Sequence, residues 1–151
     1  MNSEMLAADA DGPIRTGYVT LLGRPNAGKS TLMNQLLGQK LSIVTPKAQT
    51  TWQRVTGIHT TDRIQAIFLD TPGLLIAKDL FQQSMLEEAL EAVREGDVIV
   101  LLVDATDPLR EAEREAIREA LSLSDSRLIV VINKIDSANP GEIARIAEWA
   151  R

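Results

Sequence analysis

Two rhythms of apolar residues alternate along the chain. Short apolar runs are separated by stretches in which apolar positions recur every three or four residues, the spacing of one helix face. Tyr18 to Leu22 predicts a strand that ends at Gly23, and Lys29 to Leu37 predicts a helix with Gly38 as its stop. Arg63 to Leu69 predicts a second strand, with Ile64, Ala66 and Phe68 on one face and Ile67 and Leu69 on the other. From Phe81 to Glu95 the positions Phe81, Met85, Leu86, Ala89, Leu90 and Val93 keep helical spacing, with Phe81 and Met85 expected in the core and Gly96 closing the helix. Val98 to Val103 is uninterrupted, as a central parallel strand covered on both faces should be. Arg110 to Ser122 predicts a charged helix with a buried stripe of Ala116, Ile117, Ala120 and Leu121. Leu128 to Ile132 predicts another fully buried strand, and a last helix starts near Glu142 with Ile143, Ile146 and Ala147 inward. Strands alternating with helices define an α/β fold, a doubly wound and mostly parallel sheet flanked by helices. Ligands of such sheets sit beyond the carboxyl ends of the strands. Residues 1–16 lack a sustained apolar period and are expected to form a flexible leader, leaving 17–151 as one domain.

Composition narrows the choice. A chain of 151 residues suits one domain with a real core. Its 16 basic residues against 21 acidic ones give a net charge of −5, and aromatics are 3%, so a general nucleic-acid surface is not expected. There is no cysteine, which excludes disulfides, thiolate metal sites and cysteine nucleophiles. The longest apolar run, Val98 to Val103, is far too short to span a bilayer, and no basic segment leads into an apolar one as in a secretory signal. A cytoplasmic location is expected.

The loop after the first strand, Gly23-Arg24-Pro25-Asn26-Ala27-Gly28-Lys29-Ser30, matches G-x-x-x-x-G-K-[ST] in full. Small residues let successive backbone N–H groups turn toward phosphate oxygens. Lys29 supplies a cation for the β- and γ-phosphates, Ser30 a hydroxyl for Mg²⁺, and the helix start the positive end of its dipole. An ordinary glycine-rich turn is the plainer explanation, and the strand–loop–helix context disfavours it.

That loop does not separate ATP from GTP, but Asn133-Lys134-Ile135-Asp136 does. Guanine presents N1–H and a 2-amino group side by side, so the Asp136 carboxylate can accept both. Adenine would leave that carboxylate facing a lone pair, and a buried polar group left unpaired discriminates strongly. Asn133 would hold the base from its other edge, while Lys134 could lie over the ring and tie this loop to the phosphate loop. In isolation these four residues could equally be a polar turn capping the next helix. About a hundred residues after a phosphate loop, at the end of an apolar strand, the nucleotide reading prevails.

The third signal is Asp70-Thr71-Pro72-Gly73. A carboxylate there can hold Mg²⁺, and Gly73 can offer a backbone N–H to the γ-phosphate with no side chain in the way. The alternative for Asp70 is a strand-end cap. In the polar stretch from Ser42 to Gln53, a hydroxyl of Thr50 or Thr51 could complete the Mg²⁺ shell when triphosphate is present.

With these motifs the chain resembles the translation-factor-related P-loop GTPases, and among them the Era family. The resemblance rests on GRPNAGKSTL (23–32), LGQK (37–40), KAQTT (47–51), GIH (57–59), DTPGL (70–74) and NKID (133–136). It implies a P-loop NTPase fold that binds GTP and GDP with Mg²⁺ and hydrolyses GTP. Nucleotide contacts would come from Gly23, Asn26, Ala27, Gly28, Lys29, Ser30, Thr31, Asp70, Gly73, Asn133, Lys134 and Asp136. Lys29, Thr51 and Gly73 would act in hydrolysis, and Ser30, Thr51 and Asp70 would hold the metal, with Thr50 second to Thr51. Trp52 departs from the family's preference for a basic residue after the paired threonines. Leu74 stands where Ras-like relatives place the glutamine that orients the attacking water, which implies slow intrinsic hydrolysis. Asn26 resembles the asparagine with which some relatives bind K⁺ beside the phosphates; otherwise it only closes the turn.

The family's G domain continues with another strand, a Ser-Ala loop and a last helix, followed by an RNA-binding KH domain. None of these is expected within 17–151, so the domain is expected to be C-terminally incomplete, with Leu128 to Ile132 as an exposed apolar edge. Small-subunit assembly through 16S rRNA is expected only of a full-length relative with the KH domain, whereas peripheral contact at the inner face of the cell membrane is the alternative to a purely cytoplasmic location for this chain. The rival from another class is a nucleotide-binding fragment without hydrolytic activity. A third reading, a sister GTPase of tRNA modification or of the tandem-domain type, is disfavoured by KAQTT. Plainer roles suit the remaining residues: His59 without a partner ligand, Arg110 to Glu119 as a solvated face with Glu111–Arg114 and Glu115–Arg118 pairs, and Asp104 and Asp107 shaping a turn.

Overall fold

The chain's first strand is the middle of its sheet. In the computed structural model, which describes residues 13–38, 55–73, 80–122 and 124–151, β1 (Arg15–Gly23) lies between β3 (Ile64–Asp70) and β4 (Val98–Asp104), parallel to both. Being flanked on both sides, β1 can bury its carboxyl half completely: Thr20, Leu21 and Leu22 are fully enclosed. It begins at Arg15, so Arg15 and Thr16 belong to the sheet rather than to a leader.

The order is β2-β3-β1-β4-β5, with β5 (Arg127–Asn133) parallel to β4 and only β2 (Val55–Thr60) antiparallel, to β3. β2 went unpredicted because Gly57 and the polar Thr56, His59 and Thr60 break its apolar alternation. The connection after β1 runs toward one edge and that after β4 toward the other. The switch point therefore lies between the carboxyl ends of β1 and β4, where doubly wound sheets bind ligands.

Helix α1 (Lys29–Leu37) has the predicted bounds and packs on β1, β2 and β3, with Met33 fully buried. Helices α2 (Leu80–Glu95), α3 (Glu111–Ser122) and α4 (Pro140–Trp149) surround one core. It joins Leu22, Ile99, Leu101 and Val103 of the sheet to Ala89 and Val93 of α2, Ile117 of α3 and Ile146 of α4. Right-handed crossovers in opposite directions put α1 on the other face.

Two expectations of burial fail. Phe81 is 53% exposed rather than core, because the buried stripe of α2 starts one turn later with Met85, Ala89, Ala92 and Val93. β5 is not a fully buried strand: Leu128 and Ile129 are 44% and 51% exposed and the rest of its apolar residues are half-buried. Among the described residues it is flanked by β4 alone, so it forms the apolar edge anticipated on other grounds.

Candidate functional site

The loop from Gly23 to Ser30 leaves β1 at the switch point and turns through three residues of positive φ, Gly23 at 149°, Asn26 at 62° and Gly28 at 107°. Asparagine tolerates that conformation; glycine takes it freely. A Cβ at Gly28 would also lie 2.4 Å from the Asn133 side-chain nitrogen and push that amide from its place. The first turn of α1, from Lys29 to Thr31, contributes backbone N–H groups that no helical carbonyl satisfies.

Lys29 is 5% exposed, and its ammonium donates to the carbonyls of Gly23 (3.1 Å) and Arg24 (2.9 Å). Burial lowers its pKa from 10.5 to about 8, against the opposing charge of Asp70. Neutral carbonyls do not replace the water this cation has lost, so a bound anion would be strongly favoured beside it. The Ser30 hydroxyl donates to Asp70 Oδ2 at 2.6 Å, both residues being buried. A hydroxyl and a carboxylate in contact are hard oxygen donors that fit Mg²⁺, an ion usually held by one or two protein groups plus phosphate and water.

The loop after β3 is fixed to the same scaffold. Thr71 is fully buried and its hydroxyl donates to the Leu21 carbonyl at 2.8 Å. A Cβ at Gly73 would sit 2.6 Å from the backbone nitrogen of Pro25, so only glycine lets this loop lie against the phosphate loop. Thr50, Thr51, Trp52 and Leu74 lie outside the described residues.

Asn133 and Lys134 reach the phosphate loop across more than a hundred residues of sequence. The Asn133 amide donates to the Ala27 carbonyl at 2.9 Å, and the Lys134 ammonium to the Asn26 carbonyl at 2.8 Å. The predicted tie between the two loops is thus present. Asn133 in this conformation braces the loop. Asp136 follows on an exposed 3-10 turn, Ile135–Ser137, where its carboxylate accepts from the Ser137 hydroxyl at 3.2 Å.

Three supporting residues escaped sequence reasoning or received a plainer role. Arg24 turns away from the loop interior and pairs with Asp107 at 2.7 Å and Glu113 at 3.0 Å. Glu113 is buried, at 5% exposure, and its other oxygen accepts the Arg110 backbone N–H at 2.7 Å, capping α3. The spacing from Arg110 to Glu113 is that of a capping box, a signal legible in sequence but masked by arginine at the cap position. Asp104 does shape its turn, accepting from the Thr106 N–H (2.8 Å) and hydroxyl (2.6 Å), and it also pairs with Lys134 at 2.6 Å. Glu111–Arg114 and Glu115–Arg118 are surface pairs, as expected, and His59 is exposed on β2.

A phosphate loop at the switch point of a mostly parallel five-stranded sheet, joined to an N-K-x-D loop, defines a P-loop GTPase G domain. The family model described as 50S ribosome-binding GTPase matches residues 18–134. The chain belongs to that family, as a G domain of the Era type. It is 42% identical over 141 residues to GTPase Era of Geobacter metallireducens, covering 93% of this chain and 47% of that protein. A crystal structure of an Aquifex aeolicus Era variant bound to GDP·AlF4⁻ superposes with a TM-score of 0.81 at 40% identity, over 91% of this chain and 47% of that one. An Era structure in complex with MgGDPNP and nucleotides 1506–1542 of 16S ribosomal RNA also gives 0.81, at 41% identity over 91% and 48%. The chain spans about half the length of the curated relatives it matches. Among the described residues no helix is long and apolar enough to cross a membrane.

Proposed function

We propose that this G domain binds GTP and GDP with Mg²⁺ and hydrolyses GTP slowly. The observation that carries the reading is the pair of bonds from Asn133 and Lys134 to the phosphate-loop carbonyls, which sets a carboxylate-bearing turn beside an anion-binding loop. Mg²⁺, when bound, neutralises charge developing on the β- and γ-phosphate oxygens. Ser30, Asp70 and Thr51 are the residues that would hold it. Lys29 exchanges its two carbonyl partners for phosphate oxygens, the N–H groups of Gly28 to Thr31 surround the β-phosphate, and the Gly73 N–H faces the γ-phosphate. Asp136 accepts N1–H and the 2-amino group of guanine.

Leu74 cannot orient water, which favours a slow reaction. K⁺ held beside Asn26 would supply positive charge at the transferring phosphate, so turnover should be faster in K⁺ than in Na⁺; equal rates would remove the ion from the mechanism. The solved Era complex with 16S rRNA supports a role in small-subunit assembly for a longer protein carrying this domain.

Asp136→Asn tests the base reading. An amide in place of the carboxylate should move preference from guanine to xanthine nucleotides, and an unchanged preference for GDP would show that Asp136 does not touch the base.

A further inference from the structure

Asp104 is the last residue of β4, 8% exposed, and stands in register with Asn133 on β5. The Ala105 N–H donates to the Asn133 carbonyl at 3.0 Å. Of the carboxylate oxygens, Oδ1 accepts the N–H and hydroxyl of Thr106, at 2.8 and 2.6 Å, and Oδ2 lies 2.6 Å from Lys134 Nζ. Burial alone would raise its pKa, but the bond from Lys134, the bonds from Thr106 and the charge of Lys134 outweigh that and lower it. The carboxylate is therefore charged, held on both oxygens, and unable to swing away.

Lys134 needs such a holder. Its backbone is left-handed, at φ 57°, a conformation that a lysine disfavours and that persists only where its surroundings impose it. This residue aims the turn Ile135–Ser137, and so the Asp136 carboxylate. Among the described residues its ammonium has two anchors, the Asn26 carbonyl and Asp104, of which only Asp104 is charged.

We propose that Asp104 is a positioning residue for guanine selectivity, fixing Lys134 and through it the direction in which Asp136 meets the base. This rests on the guanine-binding reading above. Calorimetric titration of GDP, IDP and ATP into the 151-residue chain, its Asp104→Asn and Lys134→Met variants and the double variant, with thermal unfolding of each, tests this. Hypoxanthine lacks the 2-amino group, so the ratio of GDP to IDP affinity reports how well Asp136 is aimed. The amide introduced by Asp104→Asn would keep an oxygen for Thr106 and lose the charge facing Lys134. The expected result is GDP affinity about tenfold lower in Asp104→Asn, the loss of one charge-assisted bond, with the GDP/IDP ratio falling toward one. In the Lys134→Met background the same substitution should then change neither. Where Lys134→Met binds too weakly to titrate, the ratio in Asp104→Asn decides. An unchanged ratio overturns the proposal, whether or not the variant melts earlier, because lost folded protein lowers both affinities alike. Loss of the same size in the Lys134→Met background also overturns it. Failure of the unsubstituted chain to prefer GDP over ATP would overturn the guanine reading and the proposal with it.

Discussion

Replacing Glu113 by alanine removes two interactions made by one buried side chain. One oxygen caps the Arg110 N–H at 2.7 Å and the other pairs with Arg24 at 3.0 Å. A helix cap made by a buried carboxylate is a charge-assisted hydrogen bond worth about 1.5–3 kcal/mol, and the contact with Arg24 adds an ion pair in which Nε makes no hydrogen bond among the described residues. Removing one member of a buried pair can cost about 3–5 kcal/mol when the other charge is stranded. Arg24 would not be stranded, since it keeps Asp107 at 2.7 Å and the Asp107 carbonyl at 3.2 Å. The expected destabilisation of Glu113→Ala is therefore about 3 kcal/mol, or about 6–12 °C in melting temperature for a chain of this size. Glu113→Gln separates the parts: the amide oxygen can still cap α3, so only the charged contribution is lost. Glu115→Ala, which breaks the exposed pair with Arg118, should stay within about 0.5 kcal/mol. The assay is urea denaturation followed by far-ultraviolet circular dichroism on all four proteins. A midpoint for Glu113→Ala equal to that for Glu115→Ala would refute the reasoning, and so would Glu113→Gln costing as much as Glu113→Ala.

The pKa of Lys29 gives two pH dependences of opposite sign. Between about 8 in the folded chain and 10.5 in the unfolded one, the unfolded state binds more protons, so stability without ligand rises with pH across that interval. Phosphate would restore the proton, so GDP affinity should fall as pH passes 8, by about tenfold at one unit above it; flat affinity across about pH 7 to 9 contradicts the phosphate–Lys29 contact. Gly73→Ala drives a Cβ to 2.6 Å from the Pro25 backbone nitrogen. The loops must separate at about 1–3 kcal/mol, and an unchanged melting temperature would show that they already have slack.

Where a residue's role depends on its immediate neighbours in sequence, the chain could be read without coordinates. The bounds of α1, with Gly28 before it and Gly38 after it, follow from local signals, as do the motifs at Gly23–Ser30, Asp70–Gly73 and Asn133–Asp136. Roles set by distant neighbours were not legible. Leu128 and Ile129 have the composition of a buried strand, but only strand order reveals that β5 has one neighbour among the described residues. Glu113 has the sequence setting of a surface charge, and its burial comes from Arg24, far away in sequence, which turns toward it. Asp104 looked like a turn former, which it is, but its second oxygen serves Lys134. Phe81 fits the period of α2 and still projects outward, because the buried stripe of that helix begins only at Met85.

Calorimetric titration of the 151-residue chain with GDP, and with ATP as control, in Mg²⁺ and K⁺ tests the central claim most directly. Saturable binding of GDP without binding of ATP is the predicted result. Equal binding of both would show that the Asn133–Asp136 loop does not read the base, and binding of neither would contradict a working guanine-nucleotide site in this chain.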